Sequence, residues 1–297
     1  MKAVELFAGA GGLALGVRLA GFESAAVAEW DRWACDTIRE NRRNGHPLVG
    51  SWPEPFEGDA RDFPWDSLAG SIDLVAGGPP CQPFSMGGKH KAHADTRDMF
   101  PATVDIIRRL RPRAFIIENV KGLTRSAFSN YFQYIQLQLR LPDVAPRSGE
   151  DWSDHYARLQ AESTSSDRSG LQYGLTVNLV NAADYGVPQK RERVFMVGFR
   201  ADLGIEWSFP KPTHSQEALL RDQWLTGVYW RRHGVPAHER PAAPENIDAA
   251  LARLERGEVP PLAWRTVRDA LLGLPDAQSR RAGGFHGHHF QPGARIY

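Results

Sequence analysis

The chain has 297 residues, 42% of them hydrophobic and 24% charged, with a net charge of +1 and two cysteines. Its length suits one large α/β domain plus a smaller appendage, and it contains no run of about 18 apolar residues such as a membrane span requires. Two cysteines exclude a disulfide framework and point to a reducing cytoplasm, while the near-neutral charge means that any nucleic-acid face must come from local clustering.

AVELFAG (3–9) reads as a buried strand, and its position leads us to expect no signal peptide ahead of it. GGLALGVRLAG (11–21) follows as a helix, ESAAVAEW (23–30) as a strand ending at Glu29 and Trp30, and DRWACDTIRENRRN (31–44) as a helix with Asp31 at its start. SIDLVAGG (71–78) is a strand, MFPATVDIIRRL (99–110) a helix by its apolar spacing, and RAFIIENV (113–120) a further buried strand. This alternation predicts a doubly wound, mostly parallel sheet with helices on both faces and functional residues at the strands' carboxyl ends. Residues 141–170 are polar and read as an excursion from the core, with room for one short helix. LTVNLVNAADYG (175–186) and RVFMVGFR (193–200) resume strand character. After Phe209 the texture becomes rich in proline, arginine and tryptophan without a sustained period, which predicts domains at 1–209 and 210–297.

Four stretches carry chemistry. FAGAGG (7–12) lies between a strand and a helix, and Gly9, Gly11 and Ala14 fit G-x-G-x-x-A. Glu29 sits about twenty residues further on, where that pattern places a ribose-binding acid. An adenosine-containing cofactor follows, and Gly58-Asp59 is a candidate contact for its adenine. GGPPCQPFSMGGKHK (77–91) puts Cys81 at a strand exit, directed by Pro79 and Pro80 and followed by a cationic glycine loop. That is a place for a thiolate nucleophile beside a nucleic-acid backbone, rather than for a small buried side chain. IIENV (116–120) places Glu118 and Asn119 at another strand end, where desolvation can keep a carboxyl protonated near neutrality. In QKRER (189–193), an extended backbone starting by Gln189 would put Gln189, Arg191 and Arg193 on one face, suited to a base edge or phosphate; the plain alternative is a solvated charge run.

In this order the four pieces resemble the DNA (cytosine-5)-methyltransferase family, and the resemblance runs over nearly the whole chain. FAGAGG matches its cofactor loop, Glu29-Trp30 its second cofactor motif, GPPCQPFS its catalytic motif, ENV its glutamate motif and QKRER its arginine motif. TVRDALLGLP (266–275) is similar to a segment of the variable region in some members. The resemblance implies a Rossmann-like methyltransferase fold with a small irregular target-recognition domain, S-adenosyl-L-methionine as cofactor, and double-stranded DNA as substrate. It implies Cys81, Glu118, Arg191 and Arg193 as catalytic residues. Phe7, Ala8, Gly9, Gly11, Gly12, Glu29, Trp30, Asp59, Ala60 and Pro79 would bind the cofactor. The cytosine would flip out of the duplex, Cys81 would attack carbon 6, and protonated Glu118 would donate to ring nitrogen 3. Expected DNA contacts are Gln82, Ser85, Lys89, Lys91, Arg97, Gln189, Trp224, Tyr229, Arg231 and Arg232. Restriction-modification or phage defence is the expected setting.

The family's closing glycine-asparagine motif is not visible, which leads to the expectation of a split enzyme or a truncated product, with a small second polypeptide supplying the missing helix. Alternatives are a tRNA cytosine methyltransferase and an inactive DNA-binding homologue. An adenine amino-methyltransferase would carry an aromatic where Cys81 stands, and a nicotinamide dehydrogenase would share only the glycine loop and Glu29. His286, His288 and His289 lack the cysteine or carboxylate that would complete a metal set, so no metal is expected. Cys35, in mid-helix, reads as packing.

Overall fold

The computed structural model describes residues 1–80, 98–165, 169–245, 247–284 and 290. They form two compact units, Met1–Val180 with Glu192–Phe209, and Asn181–Arg191 with Pro210–Tyr297.

The first unit runs β1 (Lys2–Leu6), α1 (Gly12–Leu19), β2 (Glu23–Glu29), α2 (Arg32–Arg43), β3 (Phe56–Glu57), β4 (Leu74–Gly77), α3 (Phe100–Leu110), β5 (Ala114–Val120), α4 (Ser129–Arg140), α5 (Trp152–Thr164), β6 (Tyr173–Asn181) and β7 (Glu192–Arg200). The seven strands make one sheet in the order β3-β2-β1-β4-β5-β7-β6. Strands β1 to β5 pair in parallel, and β7 lies antiparallel to β5. Because β1 lies between β2 and β4, the winding reverses beside it, which opens a crevice at the carboxyl ends of β1 and β4. At that crevice Leu6 pairs with Gly77. A Cβ on Gly77 would stand 2.8 Å from the Leu6 carbonyl oxygen, so only glycine allows the two strands to approach there.

Side-chain alternation decides which residues meet on each face. Val4 and Leu6 of β1 join Val75, Phe115 and Ile117 in the main core beneath α3 and α4, whereas Ala3 joins Leu74, Ala76 and Val17 of α1 on the opposite face. Along β5 the pattern is one-sided: Phe115, Ile117 and Asn119 are buried, while Ala114, Ile116 and Glu118 are only half-buried. Asp31 caps α2, its side chain accepting from the Ala34 N–H at 2.8 Å. Burial pushes the Cys35 thiol up to about 11, in keeping with a packing role.

The polar stretch 141–170 is not an excursion. Its helix α5 is 13 residues long and sends Leu159 into the main core, together with Leu141 and Leu171. His155 is also buried, its Nδ1 meeting the Tyr134 hydroxyl at 2.7 Å and its Nε2 meeting the Val144 carbonyl oxygen at 2.7 Å. A few inward-facing residues suffice to dock a helix whose composition is polar overall.

The second unit comprises β8 (His214–Ser215), α6 (Gln216–Leu220), α7 (Val228–Arg232), α8 (Ile247–Glu255), β9 (Leu262–Ala263) and α9 (Val267–Leu271). Its core is Tyr229, Trp230 and Val235, with Leu219 and Trp224 against them. The segment 181–191 belongs here because Asp184 accepts from the Trp264 indole at 2.9 Å and from the Thr213 backbone through its carbonyl at 2.9 Å. Among the described residues no helix is long and apolar enough to cross a membrane.

Candidate active site

The chain leaves β1 through Phe7 in the left-handed region (φ 55°), and Gly9 and Gly11 follow at φ 55° and 93°. This run of positive φ angles turns the backbone sharply into α1. The Glu29 carboxylate, at the end of the neighbouring strand, fixes the turn: Oε2 accepts from the Gly9 N–H and Oε1 from the Asp31 N–H, both at 2.7 Å. Each oxygen keeps a lone pair for a further donor. Beside this turn lies a cleft of about 430 Å³ lined by Phe7, Ala28, Glu29, Trp30, Gly58, Asp59, Ala60, Arg61, Pro80 and Met99. Its walls are mostly apolar and aromatic, with one carboxylate from the β2 end and another from the turn after β3. A flat apolar ring flanked by a diol and an amine as donors matches those walls and the two acceptor carboxylates.

A second group gathers at the carboxyl end of β5. Because β7 runs antiparallel, its first residues lie beside the last of β5, with Arg193 opposite Val120. The Arg193 Nε donates to the Glu118 Oε1 at 2.7 Å, and its NH1 donates to the Glu192 carbonyl at 2.8 Å. Lys121 spans the two strands to both oxygens of Glu192 at 2.9 Å. The neighbouring strand exit is tied to the same place. A Cβ on Gly78 would stand 3.2 Å from the Glu118 Oε2, and the Asn119 amide donates to the Pro79 carbonyl oxygen at 3.0 Å. The segment that leaves β4, at Gly78 and at Pro79 two residues before Cys81, is thus anchored on the Glu118-Asn119 pair.

The family model for the C-5 cytosine-specific DNA methylases matches residues 1–141 and 153–232. The chain belongs to that family. It is 34% identical over 234 residues to the Type II methyltransferase M.AquIA of Picosynechococcus sp., covering 76% of this chain and 82% of that protein. It is 34% identical to M.NgoMIV of Neisseria gonorrhoeae over 77% of this chain, and 32% identical to M.NgoPII of the same organism over 83%. Those two matches span 64% and 60% of the Neisseria proteins' own length.

For a member of the methylase family, the sequence-derived site sorts into three groups. Phe7, Glu29, Trp30, Asp59 and Ala60 line the cleft, whereas Ala8, Gly9, Gly11 and Gly12 build the turn beside it. Pro80 takes the lining position expected for Pro79, because Pro79 is buried with its carbonyl held by Asn119. Cys81, Gln82, Ser85, Lys89, Lys91 and Arg97 lie outside the described residues, as do His286, His288 and His289.

The QKRER stretch differs from its expected geometry. The strand starts only at Glu192, so Gln189 and Arg191 are not on a strand face with Arg193. Arg191 instead donates its backbone N–H to the Asn181 Oδ1 at 3.1 Å. In the second unit, Tyr229 is 3% exposed and its hydroxyl meets that of Thr266 at 3.0 Å, so the DNA contact expected of it is overturned. Its ring is spent on the core. Trp224 packs edge-on against Trp230 with centroids 5.4 Å apart. Arg231 donates to the Thr226 carbonyl at 2.9 Å, and Arg232 to Asp269 at 2.6 Å. Sequence reasoning missed Arg61 and Met99, which line the cleft from the turn after β3 and the start of α3. Arg61 carried a local signal, two positions after Asp59; Met99 carried none.

Proposed function

We propose that this chain transfers a methyl group from S-adenosyl-L-methionine to carbon 5 of a cytosine flipped out of duplex DNA, by way of a transient covalent bond from Cys81. The observation that carries the reading is the convergence of Glu118, Arg193 and the β4 exit leading to Cys81 beside the Phe7–Glu29–Asp59 cleft. The cleft's chemistry fits the cofactor: Glu29 for the ribose hydroxyls, Asp59 for the adenine amine, and Phe7, Trp30, Pro80 and Met99 for the ring. When bound there, S-adenosyl-L-methionine supplies the transferable methyl.

The chain's own residues do the rest. Cys81, as thiolate, adds to carbon 6 of the ring. Glu118, in its protonated form, donates to ring nitrogen 3 and stabilises the electron density that makes carbon 5 nucleophilic. Arg193 releases Glu118 to the base and donates to its exocyclic oxygen; Lys121 and Glu192 hold the two strands in register as it does so. Arg191 orients the base or the loop that follows Cys81. Carbon 5 takes the methyl; a base then takes the carbon 5 proton as the bond from carbon 6 to the Cys81 sulfur breaks, which restores aromaticity and the free thiolate. Gln82, Ser85, Lys89, Lys91, Arg97, Gln189, Trp224, Arg231 and Arg232 serve duplex DNA in the cytoplasm, as part of restriction-modification.

A helix from a small second polypeptide packs against the first strand-helix unit and covers that face of the sheet. The half-open face of β5, with Ala114 and Ile116 incompletely covered, and Leu19 of α1 at 71% exposure support this part of the reading.

The test uses duplex DNA carrying 5-fluorocytosine with labelled methyl donor. A crosslink through Cys81 is expected, and Cys81→Ser should lose methylation while keeping DNA binding. A Cys81→Ser protein that still methylates would refute the covalent route. Transfer to tRNA in place of duplex DNA would move the assignment to the RNA-directed branch.

A further inference from the structure

Arg61 follows Asp59 by two positions and engages the whole of its carboxylate. The Arg61 Nε donates to Oδ1 at 2.9 Å and NH2 to Oδ2 at 2.5 Å, while the Arg61 backbone N–H also donates to Oδ1 at 2.8 Å. Oδ1 therefore has both acceptor positions filled. Oδ2 has one filled and one open. The Asp59 side chain is 14% exposed and both residues line the cleft, so the open position is available to a group within it.

The backbone of this turn is held by other contacts. The Gly58 N–H donates to the Glu29 carbonyl at 2.9 Å, the Asp62 N–H to the Asp59 carbonyl at 2.9 Å, and the Trp65 indole to the carbonyl of buried Ala60 at 2.7 Å. None of these involves the Arg61 side chain, half of which is exposed. The guanidinium therefore contributes little to holding the fold; what it holds is the direction and charge of one carboxylate. Without it, Asp59 keeps only the Arg61 backbone N–H on Oδ1, and nothing else among the described residues fixes the direction of Oδ2. The same guanidinium keeps the Asp59 carboxyl below its ordinary range, so that it remains an acceptor.

We propose that Arg61 is a positioning residue for purine selection: it clamps Asp59 so that a single lone pair on Oδ2 receives the exocyclic amine of an adenosyl ligand. A purine with an oxo group at that position brings an acceptor against an acceptor and is rejected. This rests on the cofactor reading given above and adds to it a residue and a basis for discrimination.

Isothermal titration of the full chain with S-adenosylhomocysteine and with its deaminated counterpart, S-inosylhomocysteine, tests it. The wild-type protein should prefer the adenosyl ligand by at least about tenfold, the loss of one hydrogen bond to a charged group. In Arg61→Ala the adenosyl ligand should bind about tenfold more weakly, and the preference should shrink to within about threefold. Arg61→Lys, which keeps the charge but not the fork, should lie between. Both variants should unfold at the wild-type temperature, since the turn is anchored elsewhere. A preference undiminished in Arg61→Ala, or an Arg61→Ala protein that loses both ligands equally, overturns the role of Arg61 while leaving the cofactor reading intact. A wild-type chain that binds both ligands alike overturns selection at Asp59, and one that binds neither overturns the cofactor reading itself.

Discussion

Glu5 offers a direct measure of how this fold treats a buried charge. It lies in the middle of β1, is 1% exposed, and neither carboxyl oxygen has a hydrogen-bond partner among the described residues. Around it are Ala3, Ala14, Val17, Phe22 and Arg18, whose guanidinium donates to the Phe22 carbonyl at 3.4 Å, and the hydroxyl of Ser24, which borders the same small gap, is also unpartnered. Desolvation pushes the carboxyl from an ordinary 4.5 up to about 8. The folded protein therefore keeps the Glu5 proton at pH 7, whereas the unfolded chain has released it. Stability from this group is complete below pH 4.5, falls as pH rises towards 8, and levels off above that. At pH 7, two and a half pH units above the unfolded value, the loss is about 3 kcal/mol at roughly 1.36 kcal/mol per unit. Glu5→Gln cannot ionise, so the difference in unfolding free energy between variant and wild type should grow in its favour by about 1.4 kcal/mol per pH unit between pH 5 and 8. A constant offset from the amide's own unpaired groups, on the order of 1–3 kcal/mol, leaves that slope unchanged. Urea titrations followed by tryptophan fluorescence at four pH values give the difference directly. A difference that stays flat from pH 5 to 8 would show that Glu5 is ionised in the folded state, and the burial argument would fail.

Two further substitutions probe the turn and the second unit. Gly11→Ala places a Cβ 2.8 Å from the Trp52 ring at φ 93°, and should destabilise the first unit by about 1–3 kcal/mol and weaken S-adenosylhomocysteine binding; unchanged thermal unfolding would count against it. Tyr229→Ala removes a core ring and should cost about 3–5 kcal/mol in the second unit, while Tyr229→Phe should leave DNA affinity within about twofold. Gel-shift titration checks the latter, and a large loss of affinity in Tyr229→Phe would return Tyr229 to the DNA surface.

The glycine turn after β1 and the Glu118-Asn119 pair lie at strand ends as expected, and the reason is local. Glycines that permit left-handed backbone, a carboxylate at the close of an apolar run, and Asp31 before a helix act within a few residues of themselves. The polar stretch 141–170 misled because composition averages over a helix, whereas docking depends on single positions such as Leu159 and His155. Tyr229 misled for the complementary reason. An aromatic among arginines looks exposed, yet the ring of Tyr229 packs with Trp230 and Val235 as the core of the second unit.

What the amino-acid order determined alone was the alternation of strands and helices, the position of the glycine turn after the first strand, and the kinds of side chain brought to each strand end. Tertiary structure decided which of them meet. That Arg193 reaches Glu118 depends on β7 pairing antiparallel beside β5, and that Pro80 lines the cleft depends on Asn119 holding Pro79. The Arg61 clamp on Asp59 matters only because pairing of β2 with β3 carries that turn to the crevice. Such contacts join residues tens of positions apart, and their distances follow from sheet order and register rather than from any local preference of the chain.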